Sequence, residues 1–350
     1  MTDHPIPGQP GRLALRVSRR SLLAVGALAT LTIGGDHVIE RGLAGWVRST
    51  RAGDPSGDPA PSPSGERAEV TIYLVSVAPN RLGPQLRPWP ATVFIDPADR
   101  RVAAAALSAL LEGPDNRARE DGFVSAIPEG IEVVSAELSD DDPAVVRVEL
   151  SPGWLATDDD RSDEAASDRV GPAISLDDRL ATPAAGQAGS VAERDLRLRA
   201  AQVVFTLTQF DTIDAVEFLL DRETLGALSN LGAVIEDGPV DRLRFDDLVP
   251  LIMIEGPLAY DTVGPTFDVY GSSNTFESSL MLRLESADGE TLFEEPQTAT
   301  SGNGVRGTFS ASVTVPDDTP AGPLTLVGFE VSARDGSEVN VFEVPLRYAP

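Results

Sequence analysis

The chain has no cysteine, no lysine and, from about residue 50 onward, no histidine. All 28 of its basic side chains are arginine, and its two histidines, His4 and His37, lie near the N-terminus. Each absence closes a chemistry. Without cysteine there is no disulfide framework, so a buried core has to hold each domain together. Zinc and haem sites draw on Cys or His. Ser-His and Cys-His nucleophile pairs need His, and Schiff bases and the P-loop need Lys. Positive charge is scarce as well: 55 acids face 28 bases, a net charge of −27. Residues 1–52 hold 7 Arg and 3 acids, which leaves 21 Arg and 52 acids, a net of −31, for the rest. A body this anionic repels a phosphate backbone, which argues against a nucleic-acid partner, and it repels anionic headgroups in the same way.

What is present begins with an address. Arg12, Arg16, Arg19 and Arg20 precede an apolar run, Leu22–Ile33, and polar residues resume at Asp36. The run is short against the roughly 20 residues a membrane span needs, and it fits the apolar region of an export signal. Ser18-Arg19-Arg20-Ser21-Leu22-Leu23 resembles a twin-arginine signal, with Arg19, Arg20, Leu22 and Leu23 as the residues that carry it. Leu22 stands where Phe is usual in that pattern. Residues 1–48 therefore read either as a removed signal or as an uncleaved N-terminal membrane anchor. Residues 49–68, rich in Pro, Ser, Gly and Asp, read as a flexible tether.

From residue 69 the chain alternates strand and helix. Val70–Val77 is a β-branched strand run and Thr92–Ile95 a shorter one. Asp96-Pro97 supplies a helix start, and Ala98–Glu112 has an apolar face that Gly113-Pro114 ends. Ile131–Leu138 and Val145–Leu150 read as a strand pair around an acidic turn. A second helix opens at a Ser190/Glu193 capping box, and Ala215–Leu220 closes the domain as a strand. Between these halves lies 157–189, with eight acids, three Arg and no aromatic residue. It buries too little apolar surface to offset its ordering entropy, and reads as a disordered insertion. After a polar link at 236–247 the pattern changes. Seven short alternating runs lie within 250–349, divided by turns such as Asp288-Gly289 and Asp335-Gly336, which is the pattern of a small β-sandwich.

Several features invite a chemical reading. Gly302–Gly307 matches G-x-G-x-x-G, but a nucleotide site needs a helix after it, and Thr308–Val315 alternates as a strand. The clusters Asp140–Asp142 and Asp158–Asp160, with Asp163 and Glu164, are rich in oxygen ligands but lack calcium-loop spacing. No metal or cofactor is expected. A carboxylate pair can cleave a glycosidic bond without His or Cys, yet nothing marks two acids as facing across a cleft, so no catalytic residue is assigned. Trp89, Trp154 and Tyr260 are weighed as sugar-stacking platforms against ordinary packing aromatics.

Leu107–Pro114, Phe123–Leu138, Val146–Ser151 and Ala201–Asp221 together resemble the GerMN domain of sporulation and spore germination. Gly271–Gly289, Gly307–Pro316 and Ala333–Leu346 resemble the Gmad2 immunoglobulin-like domain often found behind it. The resemblance implies an α+β domain at 69–237, similar to ring-building modules, followed by an immunoglobulin-like all-β sandwich at 250–349. It implies an exported protein of the cell envelope, actinobacterial in type, and carries no catalytic residue. The expected role is non-enzymatic binding or assembly with envelope protein partners. Cell-wall glycan is the alternative partner, and a carboxylate hydrolase stands behind that.

Overall fold

The computed structural model describes residues 66–77, 84–95, 102–155, 191–224 and 238–350. The export residues Arg19, Arg20, Leu22 and Leu23, the acidic insertion, Asp96-Pro97 and Ser190 lie outside the described residues.

The first domain opens with a long hairpin. Strand β1 (Glu66–Ser76) pairs antiparallel with β2 (Gln85–Ile95) over all eleven residues, from Glu66↔Ile95 to Ser76↔Gln85. The ladder takes in 66–68, which the composition assigned to the tether. It also extends the short run at 92–95 back to Gln85. Pro88 and Pro90 obscured that extension, since proline cannot donate to a ladder. They are tolerated because β2 is an edge strand in the order β2-β1-β3, where β3 is Phe123–Val124. Positions 88 and 90 turn the same way, so both nitrogens without a proton take the open side.

Helix α1 (Val102–Glu112) buries Ala104, Ala106, Leu107 and Leu110 and ends at Gly113, whose φ of +80° suits glycine. A short α2 (Asn116–Glu120) follows, capped by the Asp115 side chain. A second sheet has the order β4-β5-β6-β7, with β4 (Val133–Leu138), β5 (Val145–Leu150), β6 (Ala215–Leu220) and β7 (Glu223–Thr224). Strands β5 and β6 run parallel, and helix α3 (Val191–Leu207) comes between them in the chain. Trp154 is fully buried and stacks on Phe218 at 5.2 Å.

Helix α3 does more than fill the core. Thr71 and Tyr73 of β1 point their backbone groups away from β2, and α3 meets them with side chains. Gln202 donates to the Tyr73 carbonyl at 2.9 Å, and the Tyr73 N–H donates to Thr206 at 3.1 Å. Gln209 takes both groups of Thr71, at 2.9 and 2.5 Å. Gln202 and Thr206 stand one turn apart on α3, and Gln209 lies just past the end of the helix. These polar side chains act as a surrogate strand and pair the backbone groups of Thr71 and Tyr73.

The C-terminal domain is a two-sheet β-sandwich. One sheet has the order β13-β10-β8, from β8 (Ile252–Gly256), β10 (Thr266–Ser273) and β13 (Gly307–Thr314). The other is β12-β11-β14-β15-β9, from β9 (Thr262–Val263), β11 (Ser279–Ser286), β12 (Thr291–Thr298), β14 (Gly322–Val331) and β15 (Glu338–Tyr348). The seven runs read from the sequence all carry strands, and β9 is an added short one that runs parallel to β15. Ile252, Ile254, Val269 and Val313 from one sheet share the core with Leu282, Leu284, Leu326 and Val344 from the other.

The segment read as a polar link is a packed element. Val240 bridges Val216, residues Arg242–Leu248 form a 3-10 helix, and Phe245, Leu248 and Val249 are buried. Its charges have distant partners. Arg197 of α3 grips Asp247 with two bonds of 2.6 and 2.7 Å, and Arg306 of the sandwich pairs with Asp246. The apolar core runs without a break through this element from α3 to β8.

Candidate functional site

Where the two domains meet, an ion network and a cleft lie close together. Tyr73 of β1 donates its hydroxyl to Glu255 of β8 at 2.5 Å. Arg242 donates to the same Glu255 oxygen at 2.5 Å, to the Tyr73 hydroxyl at 3.3 Å, to the Phe205 carbonyl at 3.1 Å and to Thr208 at 2.8 Å. Its guanidinium also lies 4.8 Å from the Phe205 ring centroid. Burial raises the Tyr73 phenol well above its ordinary pKa, with Glu255 adding to the rise and Arg242 opposing it. Burial alone would lower Arg242; Tyr73 and Glu255 more than reverse that and hold it cationic. Three residues from three elements thus join into one closed charge cluster.

The cleft has a volume of about 330 Å³. Strand β2 places Arg87 and Trp89 on one face, two residues apart. The loop after β8 brings in Tyr260, and β15 brings Phe342 and Glu343. Tyr260 has a φ of +69°, an uncommon conformation for a residue with a side chain. The loop holds it there: its N–H donates to the Pro345 carbonyl at 2.6 Å, and Asp261 folds back to accept from Leu258 at 2.7 Å. Burial raises the Asp261 carboxyl above its usual range. The Tyr260 ring is then gripped by the first domain. Arg117 sits 3.2 Å from its centroid, Trp89 meets it edge-on at 6.0 Å, and its hydroxyl donates to Asp121 at 2.7 Å. Desolvation and that bond to Asp121 both raise its pKa. Arg87 lies 3.8 Å from the Phe342 ring centroid and donates to the Glu343 carbonyl at 3.0 Å.

The aromatics singled out in the sequence divide here. Trp154 belongs to the core. Trp89 and Tyr260, 171 positions apart, meet across the junction, but Trp89 is only 3% exposed and offers no open face for stacking a sugar. Gly302–Gly307 is a loop entering β13, not a phosphate cradle. A Cβ at Gly302 would stand 2.6 Å from the Thr275 carbonyl oxygen. Asp140–Asp142 form a turn in which Asp142 accepts from the Ala144 N–H and Asp141 pairs with Arg147. Among the described residues no group of three His, Cys, Asp or Glu could hold a metal ion. Asp158–Asp160, Asp163 and Glu164 lie outside the described residues. Sequence reasoning passed over Arg87, Arg242 and Glu255. One signal was present: Glu255 ends the apolar run Leu251–Ile254, where a lone acid calls for a buried partner.

The chain was compared with known proteins. The family model described as sporulation and spore germination matches residues 71–174 and 173–226. The model described as the immunoglobulin-like domain of bacterial spore germination matches residues 251–337. No curated protein matches. Among solved structures, the tandem GerMN domains of the sporulation protein GerM from Bacillus subtilis are 12% identical. That likeness covers 81% of this chain and 61% of that one, with a TM-score of 0.30. The chain thus spans less than two thirds of that structure. The first GerMN domain of the same protein is 14% identical, covering 50% of this chain and 95% of that one at a TM-score of 0.26. CopC from Methylosinus trichosporium OB3b is 15% identical, covering 27% of this chain and 87% of that one at a TM-score of 0.19. At these scores the domain assignment rests on the family models.

Proposed function

Since this chain belongs to the spore-germination type, joining a sporulation and spore germination domain to the immunoglobulin-like domain of bacterial spore germination, we propose that it is an exported, non-enzymatic scaffold of the cell envelope. Its two domains work as one assembly module for envelope protein partners. The observation that carries this reading is the junction. Tyr73, Arg242 and Glu255 bond the domains through buried charge, and the apolar core continues beneath them. Two modules fixed in this way present one composite surface, which favours assembly over independent binding. The twin-arginine-like residues Arg19 and Arg20 supply the route out and the tether supplies reach. An actinobacterial host suits the all-arginine basic set.

A cell-wall glycan partner is the second reading. The burial of Trp89 and Trp154 weighs against it, because both indoles are committed to packing. A photo-cross-linking side chain placed at Leu243 and at Phe276, which are 63% and 61% exposed, tests the choice in the native host. Discrete protein adducts from the envelope fraction are expected. Adducts only to bulk wall polymer would shift the reading to glycan, and recovery from the cytoplasm alone would end the envelope proposal.

A further inference from the structure

A strand at the edge of a sheet leaves a row of N–H and C=O groups unpaired, and folds guard such rows with charge, proline or bulges. Five of the described edge strands are longer than two residues, and four of these are guarded. Strand β2 carries Pro88 and Pro90, and β12 carries Glu294, Glu295 and Pro296. Strand β4 has a register shift between Val133 and Ser135 and an exposed Glu137. Strand β8 turns Glu255 into the domain junction beside a register shift of its own. Strand β13 differs from all of them. Gly307–Thr314 has no charge, no proline and no break in its eight-residue pairing with β10. In a chain of net charge −27, an uncharged open edge stands apart.

The open side of β13 has a defined extent. Thr308 turns its backbone groups to Thr300: its carbonyl accepts from the Thr300 N–H at 2.9 Å, and its N–H donates to the Thr300 hydroxyl at 2.9 Å. At the other end the Val315 N–H donates to the Pro265 carbonyl, on the β10 side, and Pro316 has no N–H to offer. Alternation along the strand therefore turns the backbone groups of Ser310, Ser312 and Thr314 outward, and no described strand pairs with them. Their side chains are exposed, while Phe309 and Val313 are buried. This window is centred on Ser312 and matches itself. Two antiparallel copies set Ser312 against Ser312 and Ser310 against Thr314, each pair exchanging two backbone hydrogen bonds. Only hydroxyls face one another, so no like charges are opposed. Asp268 of β10 stands opposite Ser312. It comes about 14 Å from its own copy, three strand spacings away and beyond the screening length of about 8 Å at physiological salt. We propose that β13 pairs with the β13 of a second copy of this chain about a two-fold axis at Ser312, joining two three-stranded sheets into one continuous sheet. The pairing is a property of the chain itself and does not rest on the envelope reading.

The interface is small, below the roughly 1,200 Å² of stable complexes, so the dimer is expected to be weak and reversible in sedimentation of the full chain. Raising the salt should strengthen it, because two anionic bodies are then screened from each other. The absence of cysteine permits a test of register. Under oxidation by diamide, Ser312→Cys is expected to form a disulfide dimer, since paired Cα atoms about 5.5 Å apart lie within disulfide reach. Ser310→Cys should link roughly tenfold or more slowly, because position 310 of the copy lies about 14 Å away. The double variant Ser310→Cys with Thr314→Cys should link as readily as Ser312→Cys. Ser312→Lys sets two like charges directly opposite and should abolish the self-association. A parent chain that stays monomeric at every concentration, equal linking at 310 and 312, or undiminished association of Ser312→Lys would each overturn the proposal. So would protection of the β13 amides that appears only when envelope extract is added, which would give the edge to a different protein. Should Ser312→Lys fail to fold, the comparison of the cysteine variants still decides it.

Discussion

Arg242 directs every one of its nitrogen atoms to a partner inside the junction: Glu255, Tyr73, the Phe205 carbonyl and Thr208. Removing one member of a buried ion pair strands the other, at about 3–5 kcal/mol. Arg242→Ala is therefore expected to destabilise by that amount in a denaturant titration, and a near-neutral result would mean the pair is wetter than the geometry indicates. The same cluster sets an alkaline limit. The Tyr73 phenol is raised in the folded chain but ionises near its ordinary value, about 10, when unfolded. Above that pH the unfolded chain holds fewer protons than the folded one, so stability falls as pH rises. Tyr73→Phe lacks the titrating group. It is expected to lose the hydroxyl's bonds at neutral pH but to decline less steeply than the parent chain above about pH 10, and parallel declines would remove Tyr73 as the cause.

Among elements, α3 makes the most specific demand on sequence. Gln202 uses both ends of its amide, donating to the Tyr73 carbonyl and accepting from the Ala126 N–H at 2.8 Å. Gln202→Leu leaves two buried backbone groups unpaired, at about 1–3 kcal/mol each. Hydrogen exchange should register it as faster exchange at Ala126. If exchange there were unchanged, the pairing would have no measurable hold on that segment. The link offers a contrast between adjacent acids. Asp247 is half exposed, so Asp247→Ala should cost no more than about 1 kcal/mol despite its two bonds to Arg197. Asp246 meets both Arg306 and Asn274 in a more buried setting, so Asp246→Ala should cost more than its neighbour, and the order of the two melting temperatures checks this. These elements also show what was legible beforehand. Strand β6 was found at its observed bounds because Ala215–Leu220 is apolar at every position but Glu217. Strand β2 was cut short because prolines on an edge look the same as prolines in a loop. The packing of the link was not legible because its aspartates find their arginines 50 and 60 positions away. Trp89 and Tyr260 were noticed singly, but only the fold brings them within 6.0 Å.

At the scale of the whole molecule, the core that continues through Phe245 and Leu248 implies that the two domains melt together. Calorimetry is expected to give one transition for the described domains. Phe245→Ala removes a fully buried ring beneath the junction, at about 3–5 kcal/mol, and should split that transition into two. Two transitions in the unaltered chain would mean that the core does not couple the domains. The eleven-residue ladder of β1 has a mechanical consequence of its own. Glu66, the first residue of that ladder, is also the first of the described residues. A pull on the chain along β1 therefore loads all eleven register pairs at once, together with the bonds from Gln202, Thr206 and Gln209. A load directed along that axis acts on these bonds in shear. Under the proposed N-terminal tethering, this ladder is where the first domain takes the load.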